Sequence, residues 1–148
     1  MNERTGPFWD AAEGRAPLPR AAATLGLELI EADVEEGTIE LAFEASEDFT
    51  NPTGNVLGAF QAAMLYDTVG PALLATLAPD QFQSTLDLNV HFLRPLRPGR
   101  VIGSGRVAHR DGDLAHLEAS LADSEGATIA TATATARVIP LDQAHAAV

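Results

Sequence analysis

The sequence predicts an α+β fold in which one antiparallel sheet wraps around a single long, buried helix. Three observations carry that expectation. Residues 38–45 alternate, with Ile39, Leu41 and Phe43 against Glu40, Ala42 and Glu44, as a half-buried strand requires. Residues 85–92 alternate in the same way, with Leu86, Leu88, Val90 and Phe92 against Thr85, Asp87, Asn89 and His91. Between them, the stretch from Phe49 to Pro79 contains one charged residue, Asp67, and is apolar on nearly every side of a helical projection. A surface helix would show a polar stripe, so this one is expected to be enclosed over most of its circumference.

The other elements follow in order. Residues 1–24 read as a helical lead-in: Phe8, Trp9, Ala11 and Ala12 suggest a short amphipathic helix, and Pro17-Leu18-Pro19 ends it. Glu28, Glu31 and Glu35 fit the first strand of a hairpin, with Glu36-Gly37 as its turn. The central helix begins after Asn51-Pro52-Thr53-Gly54, and Gly70-Pro71 should kink or interrupt it, leaving a second helical piece over 72–78. After the strand at 85–92, Pro95, Pro98 and Gly99 make a turn. Three further strands are expected at 101–108, 114–122 and 127–139, joined by Asp111-Gly112 and by the turn at 123–126. In the last strand Thr131, Thr133 and Thr135 alternate with Ala130, Ala132 and Ala134, so an alanine face can meet the helix closely. The expected path is two strands, the helix, then four strands as a meander, in one domain spanning 1–148 with a flexible tail from 141. The uncovered sheet edge and helix end call for at least a dimer.

Composition narrows the function. The 148 residues contain nine basic side chains, all arginine, against 21 acidic ones, for a net charge of −12. A field of that sign repels nucleic acid and anionic bilayers. The absence of cysteine removes disulfides, thiolate metal sites and a thiol nucleophile. No apolar run is long enough for a membrane span, and the first residues lack a signal-peptide pattern, which points to the cytoplasm. His91, His109 and His116 fall on separate strands without carboxylates at ligand spacing, so no metal or other cofactor is expected.

Asp67 is the sharpest single residue, because a carboxylate alone in an apolar helix is costly unless it is paired or used. A structural contact with a partner chain is the competing explanation. Gly58, at the start of the helix, can present unpaired N–H groups to a developing oxyanion, or can simply allow close packing. Asn51 can position a water or hold a turn. Arg94, Arg97, Arg100, Arg106 and Arg110 cluster in an otherwise acidic chain. Arg97 and Arg110 are candidates for phosphate, and Arg106 for a cross-strand ion pair.

Taken together, Asn51-Pro-Thr-Gly54-Asn-Val-Leu57-Gly58-Ala59-Phe60, then Asp67, then Thr85-Leu-Asp-Leu-Asn-Val-His-Phe-Leu-Arg94-Pro95, resemble the hotdog-fold acyl-CoA thioesterases of the phenylacetate-degradation (PaaI-like) type. The resemblance runs from about Phe8 to Val138. It implies that Gly58 donates its backbone N–H to the thioester carbonyl, that a carboxylate acts as base or nucleophile, and that Asn51 helps to place the attacking water. The family's usual His-Gly-Gly is here Leu57-Gly58-Ala59, and its usual carboxylate position, nine residues past the His, is Tyr66 rather than Asp67. Some members carry Gln for the His and Asp-Asp where this chain has Tyr66-Asp67; this sequence looks like that branch with the first Asp lost.

The implied substrate is an acyl-CoA with a medium-chain or aromatic acyl group, lying against Leu57, Phe60, Met64, Tyr66 and Thr85. Arg97 and Arg110 would bind the coenzyme A phosphates in a homodimer or homotetramer. The carrier, coenzyme A or acyl carrier protein, stays open. The alternative is a catalytically weak or inactive hotdog protein that binds acyl-CoA or another apolar ligand, for which Leu57 and Tyr66 argue. A hydratase on the same fold would need a histidine near the helix start, and none lies between Met1 and Val90.

Overall fold

A computed structural model describes residues 4–148. Two short helices, α1 (Pro7–Ala12) and α2 (Arg20–Thr24), lead into strands β1 (Glu28–Asp33) and β2 (Thr38–Ala45). The long helix α3 (Gly58–Leu74) follows, then β3 (Gln81–Phe92), β4 (Gly99–Asp111), β5 (Leu114–Ala122) and β6 (Thr128–Pro140). Trp9 of α1 is buried, and its indole N–H donates to the carbonyl of Ala75, which docks the lead-in on the far end of α3.

All six strands form one antiparallel sheet in the order β1-β2-β4-β5-β6-β3. Only β4, β5 and β6 run as the expected meander. β3 does not pair with β4; it lies on the far side of β6 and forms a sheet edge, while β4 pairs with β2. The cause is the connection at 93–98. Pro95 and Pro98 prevent a tight hairpin there, and the segment instead crosses the sheet end. Leu93 and Arg94 N–H both donate to the Ile129 carbonyl, and the Leu96 carbonyl accepts from Val56 N–H just before α3.

Two further expectations are corrected. α3 does not break at Gly70-Pro71 but continues to Leu74. Pro71 removes one donor, the N–H that would reach the Asp67 carbonyl, and it does so one turn from the helix end. Burial of Gly70, Pro71, Ala72 and Leu73 holds that last turn in place. The tail from 141 is not frayed: Leu141–Ala146 forms a 3-10 turn whose first N–H donates to the Asp80 carbonyl.

The core lies between α3 and the sheet. Met64, Leu65, Val69 and Leu73 are fully enclosed against Leu41, Phe43, Val101, Leu117 and Leu121. Ala130, Ala132, Ala134 and Ala136 all face inward, as the alternation in β6 predicts. The tightest seat for the helix, however, is on β4. A methyl group at Gly103 would stand 2.5 Å from Thr68 Oγ1, and one at Gly105 3.1 Å from the Thr68 carbonyl oxygen.

Candidate active site

The start of α3 is built to leave donors free. Its N-cap is Leu57, which has no side-chain acceptor to offer. The Leu57 carbonyl receives the N–H groups of Phe60 and Gln61 at 2.9 and 3.3 Å, and the Gly58 and Ala59 N–H groups have no such partner among the described residues. Two aligned N–H groups at the positive end of a 17-residue helix suit an oxygen that gains negative charge.

The loop before the helix holds that end in place. Asn51 Oδ1 accepts from Thr53 N–H, Thr53 Oγ1 and Asn55 N–H, at 3.0, 2.7 and 3.1 Å. The oxygen of Asn51 is therefore committed to the turn, and only its amide NH2 is left for a ligand or water. The Phe60 ring stacks on Phe49 at 4.1 Å, fixing the first helical turn from the other side. Arg97 reaches this loop, with Nη1 3.3 Å from where a Gly54 side chain would begin.

Asp67 lies on the one face of α3 that the sheet leaves partly open, in line with Ala59 and Ala63 at helical spacing and beside Ala62 and Tyr66. It makes no hydrogen bond or ion pair among the described residues, and burial raises its carboxyl from the ordinary 3.8 to about 6. Tyr66 and Asp67 share this open face, so the one-residue offset in the motif does not turn Asp67 into the core.

Other candidates separate. Met64 is completely enclosed in the core and does not line a groove. Thr85 is also buried, on the inner face of β3, and donates to Gln83 Oε1 at 3.3 Å. Leu57, Phe92 and Leu93 are all exposed, and the Phe92 ring lies against Gly58 at the helix start. Arg106 pairs with Glu118 at 2.8 Å, as a cross-strand neutralising pair. Arg110 donates to the Gly112 carbonyl and lines a depression of about 420 Å³ with Asp80, Gln81 and Asp113. Arg97 lies just before β4 and Arg110 near its far end, roughly 40 Å away along the strand, so one chain cannot bring both to one phosphate. His109 and His116 oppose each other across β4 and β5 with ring centres 6.1 Å apart. A larger depression, about 740 Å³, lies on the outer sheet face among Thr38, Glu40, Ser104, Arg106, Glu118 and Thr131, away from every site residue proposed from the sequence.

The contacts at the site that the sequence did not announce are those of the last residues. Tyr66 Oη donates to a main-chain oxygen of Val148, and Val148 N–H donates to Ser84 Oγ at 3.1 Å. No local pattern signals a contact between positions 82 residues apart.

A family model for the thioesterase superfamily matches residues 53–130, which include the whole of α3 and β3. The chain belongs to that superfamily. Among solved structures, a phenylacetic acid degradation-related protein from Ralstonia eutropha is 37% identical, with a TM-score of 0.85 over 88% of this chain and 98% of the other. A thioesterase from Haemophilus influenzae is 20% identical (TM-score 0.79, covering 93% and 94%), and the PaaI protein of the Escherichia coli phenylacetic acid degradation operon 16% identical (TM-score 0.78, covering 89% and 93%). The last two establish the fold, which is the hotdog fold with its sheet around one helix. No curated protein matches the sequence significantly. No helix among the described residues is long and apolar enough to cross a membrane.

Proposed function

We propose that this superfamily member hydrolyses an acyl-CoA thioester with a medium-chain or aromatic acyl group, in the cytoplasm. The observation that carries the proposal is the pairing of an uncapped helix start with a carboxylate that has no partner among the described residues and whose pKa is raised by burial, on the open face of the same helix. In one chain these groups are too far apart: nine residues at 1.5 Å rise is roughly 13 Å. A second copy closes the distance. Gly58 lies against Phe92 and Gly70 against Gln83, so α3 and the edge strand β3 run in opposite directions. Two copies joined antiparallel along β3 would set the Gly58 end of one against the Tyr66–Asp67 region of the other. The exposed Leu57, Leu86, Phe92 and Leu93 supply the apolar surface for that union.

In this assembly the thioester oxygen accepts from the Gly58 N–H of one copy. Asp67 of the other copy, ionised, takes a proton from water as the water oxygen bonds to the carbonyl carbon. The carbon–sulfur bond then breaks, and the leaving thiolate takes back the proton that Asp67 had accepted. Direct attack by Asp67, followed by hydrolysis of the resulting anhydride, uses the same geometry. Arg97, just before β4 in one copy, and Arg110, at the far end of β4 in the other, would lie toward the same end of the antiparallel union, the end assigned to the coenzyme A phosphates.

The second reading is a binding protein on the same fold, favoured by Leu57 and Tyr66 in place of the usual polar pair. Release of thiol from a panel of acyl-CoAs, read by a colorimetric reagent, separates the two. The chain has no cysteine to add background. Turnover that falls at least about 100-fold in Asp67→Asn, with binding of the ester retained, supports the enzyme. Binding without turnover in the native chain would make it a binder.

A further inference from the structure

The segment after β6 returns over the beginning of β3 and ends on the open seam between β3 and α3. Leu141 N–H donates to the Asp80 carbonyl at 2.8 Å, the 3-10 turn Leu141–Ala146 follows, and Val148 is held on both sides, by Ser84 Oγ and Tyr66 Oη. Each anchor adjoins a candidate site residue in sequence, Ser84 before Thr85 and Tyr66 before Asp67. The clasp holds by hydrogen bonds rather than by packing, since no residue of the turn is buried and Val148 is 84% exposed. Segments held in this way open at small free-energy cost.

The chemistry of the contact is specific. Tyr66 is the one hydroxyl donor on the open face of α3, and its neighbour is the carboxylate that the proposed reaction uses. In the closed arrangement its single proton goes to a main-chain oxygen of Val148, so it is not available to the carbonyl of an acyl group. We propose that residues 141–148 act as an internal competitor: a main-chain oxygen of Val148 occupies the Tyr66 hydroxyl until a ligand carbonyl replaces it and releases the strap. The competition with a thioester rests on the acyl-CoA reading above; the clasp itself does not.

The sequence contains one tyrosine, so 3-fluorotyrosine incorporated into the full chain gives a fluorine NMR signal that reports Tyr66 alone. Deleting residues 141–148 is expected to move that signal, and Ser84→Ala, which loosens the other anchor without touching the phenol, to move it part-way in the same direction. An alkyl-CoA thioether, which binds without being hydrolysed, is expected to move it off the clasped position in the native chain. Its Kd should fall about fivefold on deletion of the strap, the equivalent of one net hydrogen bond no longer to be broken. For acyl-CoA turnover the same deletion lowers KM and leaves kcat unchanged. A fluorine signal indifferent to the deletion would overturn the clasp, whether or not any thioether binds. Unchanged or weaker thioether binding after deletion would overturn the competition and make the strap a wall of the site. Turnover independent of Asp67 would instead defeat the catalytic reading and leave the clasp standing.

Discussion

Asp67 ties the chemistry of the site to the energetics of the fold. Burial favours its neutral form, so the native state holds the proton more tightly than the unfolded chain does. The stabilisation from that proton is complete below the ordinary value of 3.8 and is lost as pH rises through about 6. At neutral pH the ionised carboxylate is therefore a net cost, on the order of 3 kcal/mol at most. Asp67→Asn should raise thermal stability at pH 7.5, and the gain should vanish below about pH 4; equal gains at both would contradict the assignment. Because the base must be ionised, kcat/KM for hydrolysis should fall on the acid side with an apparent pKa near 6. Asn51 is the contrasting case. Three hydrogen bonds into its own loop account for its oxygen, and only its amide nitrogens are left for water placement.

At the scale of elements, α3 is defined by what it lacks at each end. Leu57 gives no cap, which frees two donors, and Pro71 gives no N–H, which frees one acceptor without ending the helix. The helix can lie flat on β4 because Gly103 and Gly105 have no side chains. Gly103→Ala would press a methyl group on Thr68 Oγ1 and, at 3.0 Å, on the Phe43 ring. Denaturant unfolding should show a loss of about 1–3 kcal/mol for it, against a few tenths for Ser104→Ala on the outer face. An unchanged midpoint for Gly103→Ala would mean that the helix moves off the sheet without penalty.

At the scale of the molecule, the separation of Gly58 from Asp67 makes the proposed site a property of two chains. A chain carrying Gly58→Pro, which removes the donor N–H, and a chain carrying Asp67→Asn should each be inactive alone. Mixed and allowed to exchange, they should regain up to roughly a quarter of native turnover, since a mixed dimer holds one intact pair. No recovery in a mixture shown to contain mixed dimers would place both groups of a working site in one chain. Substituting Leu86→Glu on the exposed β3 edge should shift the protein toward monomers in sedimentation and lower turnover in parallel.

Sequence alone determined the strands, the long apolar helix, the inward alanine face of β6 and the singular position of Asp67, because each is written as a local period or a local exception. Its family resemblance reached the fold and the start of the helix as well. Tertiary structure decided the rest. The pairing of β3 with β6, the glycine seat on β4, the continuation of α3 through Pro71 and the return of Val148 to Tyr66 all depend on residues far apart in the chain. Each is set by which surfaces can close together with their polar groups satisfied, and that balance has no signature in any short stretch of sequence. The open face of α3 belongs with them. Burial of the other faces against the sheet, rather than the helical pattern itself, left Asp67 and Tyr66 where a ligand or a second copy can meet them.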